Sequence, residues 1–238
     1  MSALLLFALF SMQAPPAAAS PAPTRDPSLP AAEETAKAAL ESSPRHGEYV
    51  DVKIDIAVAP DLVSGHGPGG GGTDSVASRD DVVKLVREST PEETVYRLNA
   101  VRDYALKLPA ANGKVATIGF CWGGGRSFAY AAAQPALNAA VVYYGTSPET
   151  PALAAVRAPV LGLYGGDDAR VNATIGPAEA EMKKLGKTYE PHVYEGAGHG
   201  FLRQQTGRDG ANAKATAQAW PRTVAFLHEH LGAARPRP

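Results

Sequence analysis

Short, fully apolar runs alternating with amphipathic stretches constrain this chain more than any other feature. VATIGF (115–120), AAVVYYG (139–145) and PVLGLYGG (159–166) carry no charge at all. A strand that is apolar at every position must be buried on both faces, as it is in parallel βαβ units covered by helices. IDIAVAPDL (54–62) and TYEPHVYEGAG (188–198) read as two more strands. Between and around them, SRDDVVKLVRE, TPEETVYRLNAVRDYALKL, GRSFAYAAAQ, NATIGPAEAEMKKLG and AKATAQAWPRTVAFLHEHL carry apolar residues at helical spacing. In the second of these, Thr90 is the expected N-cap, Pro91 occupies the first turn and Glu93 completes a capping box. The expected fold class is α/β: a mostly parallel sheet with helices on both faces. At 238 residues and 45% hydrophobic composition, the chain can bury one such domain.

The first residues follow another logic. LLLFALF (4–10) is too short to span a bilayer, and Ala17, Ala18 and Ala19 give a small-x-small cleavage pattern. Residues 1–19 therefore read as a signal peptide, 20–31 as a Pro/Ala-rich linker and 32–238 as a single domain. An exported protein, periplasmic or secreted, with no stable membrane anchor is expected.

Charge and cysteine content exclude several classes. A formal net charge of −1 leaves no basic footprint for nucleic acid. The glycine-rich stretch GHGPGGGGTDS (65–75) lacks the Gly-Lys-Ser/Thr ending of a phosphate cradle and reads as a flexible connection. A single cysteine forms no internal disulfide, and no Cys/His spacing matches a zinc site. Neither metal nor organic cofactor is expected; the oligomeric state is open.

In open parallel sheets, ligands sit at the carboxyl ends of the strands. Three chemistry-bearing junctions fall there. Cys121 follows VATIGF, Asp167 and Asp168 follow PVLGLYGG, and His199 follows the last strand in YEGAGHGF. Alone, each has a bland reading: a lone Cys is usually inert core, and Asp after Gly-Gly is usually turn chemistry. Together they are ordered nucleophile, acid, histidine, and Gly119-Phe120-Cys121-Trp122-Gly123 has the spacing of a nucleophile elbow. An elbow places the thiol at a helix N-terminus, where the dipole favours thiolate. His199 is the expected base, an aspartate fixes its tautomer, and the Trp122 N–H is the expected oxyanion donor. Tyr143, Tyr144, Trp122 and Phe201 are candidates for an apolar pocket wall or for core packing.

With those residues in place, the chain resembles the dienelactone hydrolase family of α/β hydrolases from about Ala59 to Leu231. The resemblance rests on APDL, GFCWGG, AAVVYYG, the Gly-Gly-x-Asp loop and AGHGF. It implies an α/β-hydrolase-type fold and a hydrolase that cleaves a small carboxylic ester or lactone through a Cys-His-Asp triad and an acyl-enzyme. Carried over, Cys121 is the nucleophile, His199 the base and Asp168 the acid. Arg203 and Arg79 match two arginines that hold the substrate carboxylate.

The N-terminal part departs from the family pattern. An apolar strand, a loop giving the second oxyanion N–H and a glutamate, and a helix should precede IDIAVAPDL. Here GEYVDVK runs straight into it, and a parallel crossover needs about a dozen residues. Losing one oxyanion donor typically costs about a hundred- to a thousandfold in turnover. A deletion, an enzyme of residual activity, or EYVDVKIDIAV filling the gap are three explanations. The alternative function is a non-catalytic exported small-molecule-binding protein on a degenerate hydrolase fold.

Overall fold

The computed structural model describes residues 57–109 and 111–232. Four strands, β1 (Ala116–Phe120), β2 (Ala139–Tyr143), β3 (Val160–Gly165) and β4 (Tyr189–Tyr194), form one sheet in the order β1-β2-β3-β4, with every pair parallel. The helices are α1 (Arg79–Glu88), α2 (Pro91–Lys107), α3 (Trp122–Ala133), the single turn α4 (Ala169–Asn172), α5 (Ile175–Lys184) and α6 (Ala211–Leu231).

Period-two alternation on the central strands divides the core in two. Ala140 and Val142 of β2, with Val160 and Tyr164 of β3, pack against Phe128 of α3 and Met182 of α5. Ala139, Val141 and Tyr143, with Leu161 and Leu163, meet α6 through Ala219, Phe226 and Leu227. All five β2 residues are wholly buried, as an uninterrupted apolar run requires. Each large apolar side chain taken fully out of water contributes about 1.5–3 kcal/mol. Three of the buried phenols pair as follows: the Tyr143 and Thr223 hydroxyls lie 2.7 Å apart, those of Tyr164 and Tyr189 2.8 Å apart, and Tyr130 donates to Asn99 Oδ1 at 2.9 Å.

Helix starts follow their caps. The Ser78 side chain accepts from the Asp81 N–H at 3.1 Å, and Thr90 Oγ1 accepts from Glu93 N–H at 3.1 Å. The reciprocal half of the expected capping box is replaced. Glu93 Oε1 instead accepts from Arg97 Nε at 3.0 Å and Nη2 at 2.7 Å and lies 3.0 Å from His66 Nε2. A charged partner one turn away outcompetes a backbone amide for that carboxylate. Arg97 Nη1 also donates to the Ser64 carbonyl at 2.8 Å. The glycine-rich stretch is thereby anchored to α2, and it folds into two short 3₁₀ turns, Pro68–Gly70 and Thr73–Ser75.

One strand expectation is corrected. In IDIAVAPDL, residues 54–56 lie outside the described residues, and Ala57–Leu62 adopts no strand. An extended apolar segment becomes a strand only beside a hydrogen-bonding neighbour, and the sheet of described residues begins at β1. The expected signal peptide, linker and start of the domain also fall outside the described residues.

Candidate active site

Cys121 occupies the junction of β1 and α3 with φ 53° and ψ −119°, a conformation unfavourable for a residue bearing a Cβ. Its N–H donates to the Tyr143 carbonyl at 3.1 Å, and its carbonyl accepts from the N–H groups of Gly124 at 3.0 Å and Gly125 at 3.3 Å. The surrounding glycines let the backbones close in. A Cβ on Gly119 would stand 1.9 Å from the Gly123 carbonyl oxygen, and one on Gly145 would stand 2.2 Å from Gly125 N. As N-cap of α3, Cys121 faces the positive end of a 12-residue helix dipole.

Asp167 and Asp168 both follow β3 and part there. Asp168 is 8% exposed, caps α4, and brings Oδ2 to 2.5 Å from His199 Nδ1. Asp167 is exposed and accepts from Arg208 Nη1 at 2.7 Å. His199 follows β4 on a loop clipped to the start of α6. Asn212, 1% exposed, accepts the Gly198 N–H through Oδ1 at 2.9 Å and donates from Nδ2 to the Gln204 carbonyl at 2.7 Å. Thr216 Oγ1 donates to the Phe201 carbonyl at 3.2 Å.

His199 is hydrogen-bonded to Asp168 through Nδ1 and interacts with the Cys121 thiol. Its contact with Cys121 is the main cause that pushes its pKa up to about 9; partial burial opposes this, and the bond to Asp168 reinforces it. An imidazole held between a sulfur and a carboxylate is thus stabilised as imidazolium. Beside it lies Tyr144, whose ring centroid is 5.2 Å from that of His199 and whose own φ is 39°. Burial pushes the Tyr144 hydroxyl above the ordinary phenol range; nearby Cys121 adds to the shift and Arg203 opposes it. Cys121, His199, Tyr144 and Arg203 therefore share one neighbourhood.

The other expected residues distribute as follows. Trp122 opens α3; its N–H belongs to the first turn, which has no intrahelical acceptor, and the Arg126 guanidinium lies 5.0 Å above its ring. Arg203 is exposed, four residues after His199. Arg79, also exposed, opens α1, and among the described residues no hydrogen bond or ion pair joins it to Cys121, His199 or Tyr144. Tyr143 and Phe201 are fully buried core, so of the four aromatics Tyr144 is the one packed on the His199 ring. Asn212, Thr216 and Arg208 carry structure around the site that sequence reading did not single out. Two polar residues one turn apart on a helix face otherwise made of Ala215 and Ala219 are the signal that was available. No cluster of three or more His, Cys, Asp or Glu suited to a metal occurs among the described residues.

Comparison with known proteins agrees with this architecture. A carboxymethylenebutenolidase of Pseudomonas putida is 34% identical over 174 residues, 72% of each chain. A "Putative carboxymethylenebutenolidase" of Saccharolobus solfataricus is 32% identical over 148 residues, 62% of this chain and 56% of that protein. This chain thus matches little more than half of that relative's length. A crystal structure described as "Putative Dienelactone Hydrolase from Klebsiella pneumoniae subsp. pneumoniae MGH 78578" superposes with a TM-score of 0.59 at 27% identity, over 67% of this chain and 70% of that one. Residues 56–231 match the dienelactone hydrolase family, a span that closes on the last residue of α6, and the chain belongs to that family.

Proposed function

We propose that this protein hydrolyses small carboxylic esters or lactones through a cysteinyl acyl-enzyme. The observation that carries the reading is the hydrogen bond between Asp168 and His199, with Cys121 acting on the same imidazole, at the carboxyl edge of a parallel sheet. The family and the carboxymethylenebutenolidases among its relatives give the substrate class.

In this reading His199 holds the thiol proton and Cys121 attacks as thiolate. The sulfur–carbon bond forms, and the carbonyl π electrons move to oxygen, facing the Trp122 N–H. Collapse breaks the carbon–oxygen bond, and His199 protonates the departing alkoxide; in a lactone that alcohol stays tethered to the acyl group. Water, deprotonated by His199, then attacks the thioester, and the thiolate leaves. Asp168 keeps Nδ1 of His199 protonated and Nε2 directed at the chemistry. Arg203 supplies positive charge beside Tyr144 and favours substrates that carry a carboxylate. Arg79, apart from this group, is proposed only as a secondary contact. Export of the mature chain is part of the proposal, and N-terminal sequencing of protein recovered outside the cytoplasm tests it.

The test is hydrolysis of an aryl acetate and an enol lactone under reducing conditions, with Cys121→Ala alongside. Turnover that disappears in the variant supports the reading. A folded protein at background in both forms removes it. Among the described residues β1 has a neighbour on one edge only and the family's oxyanion loop has no counterpart, which favours a second reading: a small-molecule-binding protein without turnover. That reading predicts thermal stabilisation by carboxylates or lactones.

A further inference from the structure

We propose that Tyr144 is a positioning residue whose ring holds the His199 imidazole in line with Asp168 and Cys121. The role rests on the triad proposed above and adds a residue outside it. β1 and β2 run in register, with Phe120 beside Tyr143 at their ends. Cys121 and Tyr144 are thus neighbours, each one step past its strand. Both have positive φ, 53° and 39°, and among the described residues other than glycine only Arg208 and Asp209 share that feature. For a bulky aromatic such a backbone is a genuine outlier, kept only where the surroundings impose it.

Here they do. The Tyr143 carbonyl accepts from the Cys121 N–H at 3.1 Å, and the Tyr144 N–H donates to the Leu163 carbonyl at 2.8 Å. Just beyond, Gly145 lies so close to α3 that a Cβ on it would stand 2.2 Å from Gly125 N. The Ser147 N–H then donates to Thr174 Oγ1 at 3.0 Å. The chain is held on both sides of a single residue.

That turn decides which face the ring occupies. Along β2, Ala139, Val141 and Tyr143 face α6, while Ala140 and Val142 face α3 and α5. Strict alternation would send Tyr144 to the second group. It packs instead on the α6 side, its centroid 5.8 Å from that of Tyr143 and 5.3 Å from that of Phe201. There its ring meets the imidazole of His199 at 5.2 Å, the planes 57° apart. Tyr144 is 3% exposed and has no room to withdraw, whereas the His199 side chain is 38% exposed. One hydrogen bond at Nδ1 leaves an imidazole free to turn about that bond and swing toward solvent; a fixed aromatic wall removes much of this freedom. Glycine would adopt the same backbone without strain, but it would leave His199 without the wall.

NMR titration of His199 in the full, isotope-labelled chain, read without substrate, tests this apart from any turnover; His199→Gln identifies the signal. Tyr144→Phe keeps the ring and is expected to bind the His199 proton within about twofold of the unmodified chain. Tyr144→Asn removes the ring with a residue that tolerates left-handed backbone. It is expected to bind that proton at least about tenfold more weakly, as the imidazole drifts from Cys121 and Asp168. In aryl acetate hydrolysis Tyr144→Asn should lose about ten- to a hundredfold in kcat with KM within about threefold, and Tyr144→Phe should keep both. If no form turns over, the triad reading falls, and the titration still decides the role of Tyr144. Proton binding in Tyr144→Asn within about twofold of the unmodified chain overturns the proposal. So does an equal loss in Tyr144→Phe, which assigns the effect to the hydroxyl. Should Tyr144→Asn fail to fold, Tyr144→Leu, with apolar bulk but no flat face, takes its place: proton binding at least about threefold weaker supports the proposal, and unchanged binding overturns it.

Discussion

Asn212 Oδ1 accepts the N–H of Gly198 at 2.9 Å, one residue before His199, while its Nδ2 donates to Gln204 beyond it. One buried amide thus closes the histidine loop from both ends. Asn212→Ala leaves the buried Gly198 N–H without a partner, at about 1–3 kcal/mol, and removes one of two donors from the Gln204 carbonyl, which keeps the Gly207 N–H at 3.0 Å. The expected outcome is a lower denaturant midpoint together with a fall in kcat. Thr216→Val removes a hydroxyl shared between the Asn212 carbonyl at 2.9 Å, already an acceptor within the helix, and the Phe201 carbonyl at 3.2 Å, and should cost less by the same measure.

Asp167 and Asp168 offer an internal control. Asp168→Asn keeps the shape of the side chain but favours the wrong His199 tautomer. In a serine-protease triad the same change costs about 10⁴ in kcat, so a loss of about 10³–10⁴ is expected here. Asp167→Asn breaks an exposed contact with Arg208, a kind of pair worth about 0–1 kcal/mol, and should leave turnover within about threefold. Steady-state kinetics on the two variants side by side checks both statements.

His199 makes stability depend on pH in a defined window. Its folded pKa of about 9 lies above the ordinary 6.5, so the folded state binds the proton more tightly. That contribution is fully present below about pH 6.5 and is lost as pH rises through about 9. The stability difference between the native chain and His199→Gln should therefore shrink across that window. Unfolding midpoints measured from about pH 6 to about pH 9.5 test the sign. A difference that grows with pH would mean the partners of His199 do not hold its proton.

The elbow glycines are unequal. Gly119→Ala forces a Cβ to within 1.9 Å of the Gly123 carbonyl, backbone that has nowhere to move, and overpacking of this kind costs about 1–3 kcal/mol. A Cβ on Gly123 meets nothing within 4 Å. Gly123→Ala should therefore be neutral or stabilising by up to about 1 kcal/mol through helix propensity. Thermal unfolding of the two single variants gives the comparison directly.

What could be read in advance tracks how local its cause is. VATIGF, AAVVYYG and PVLGLYGG became β1, β2 and β3 because a run of apolar residues has one solution in a covered sheet, and Thr90 capped α2 because the cap lies three residues from its donor. Glu93 went elsewhere because Arg97, one turn on in the same helix, and His66, brought in by the folding of the glycine-rich stretch onto α2, compete for it. The described part of IDIAVAPDL, 57–62, forms no strand for a related reason: strand formation depends on a neighbour, and no pattern within the segment reports that none stands beside it among the described residues. The role of Asn212 was harder to read, because its two bonds reach back 8 and 14 residues and only its place on an alanine face marks it. The choice between two adjacent aspartates likewise turns on where Arg208 and His199 stand in space.

The backbone at Cys121 has a consequence for the chemistry of exchange. Its φ of 53° is imposed by what surrounds it: the pinned amide, the carbonyl shared by Gly124 and Gly125, and the crossing at Gly119. None of these contacts involves sulfur. The scaffold presents whatever atom is attached to that Cβ, and oxygen in place of sulfur would meet the same dipole and the same imidazole. The thiol chemistry proposed above would therefore rest on a single atom in an otherwise indifferent mould.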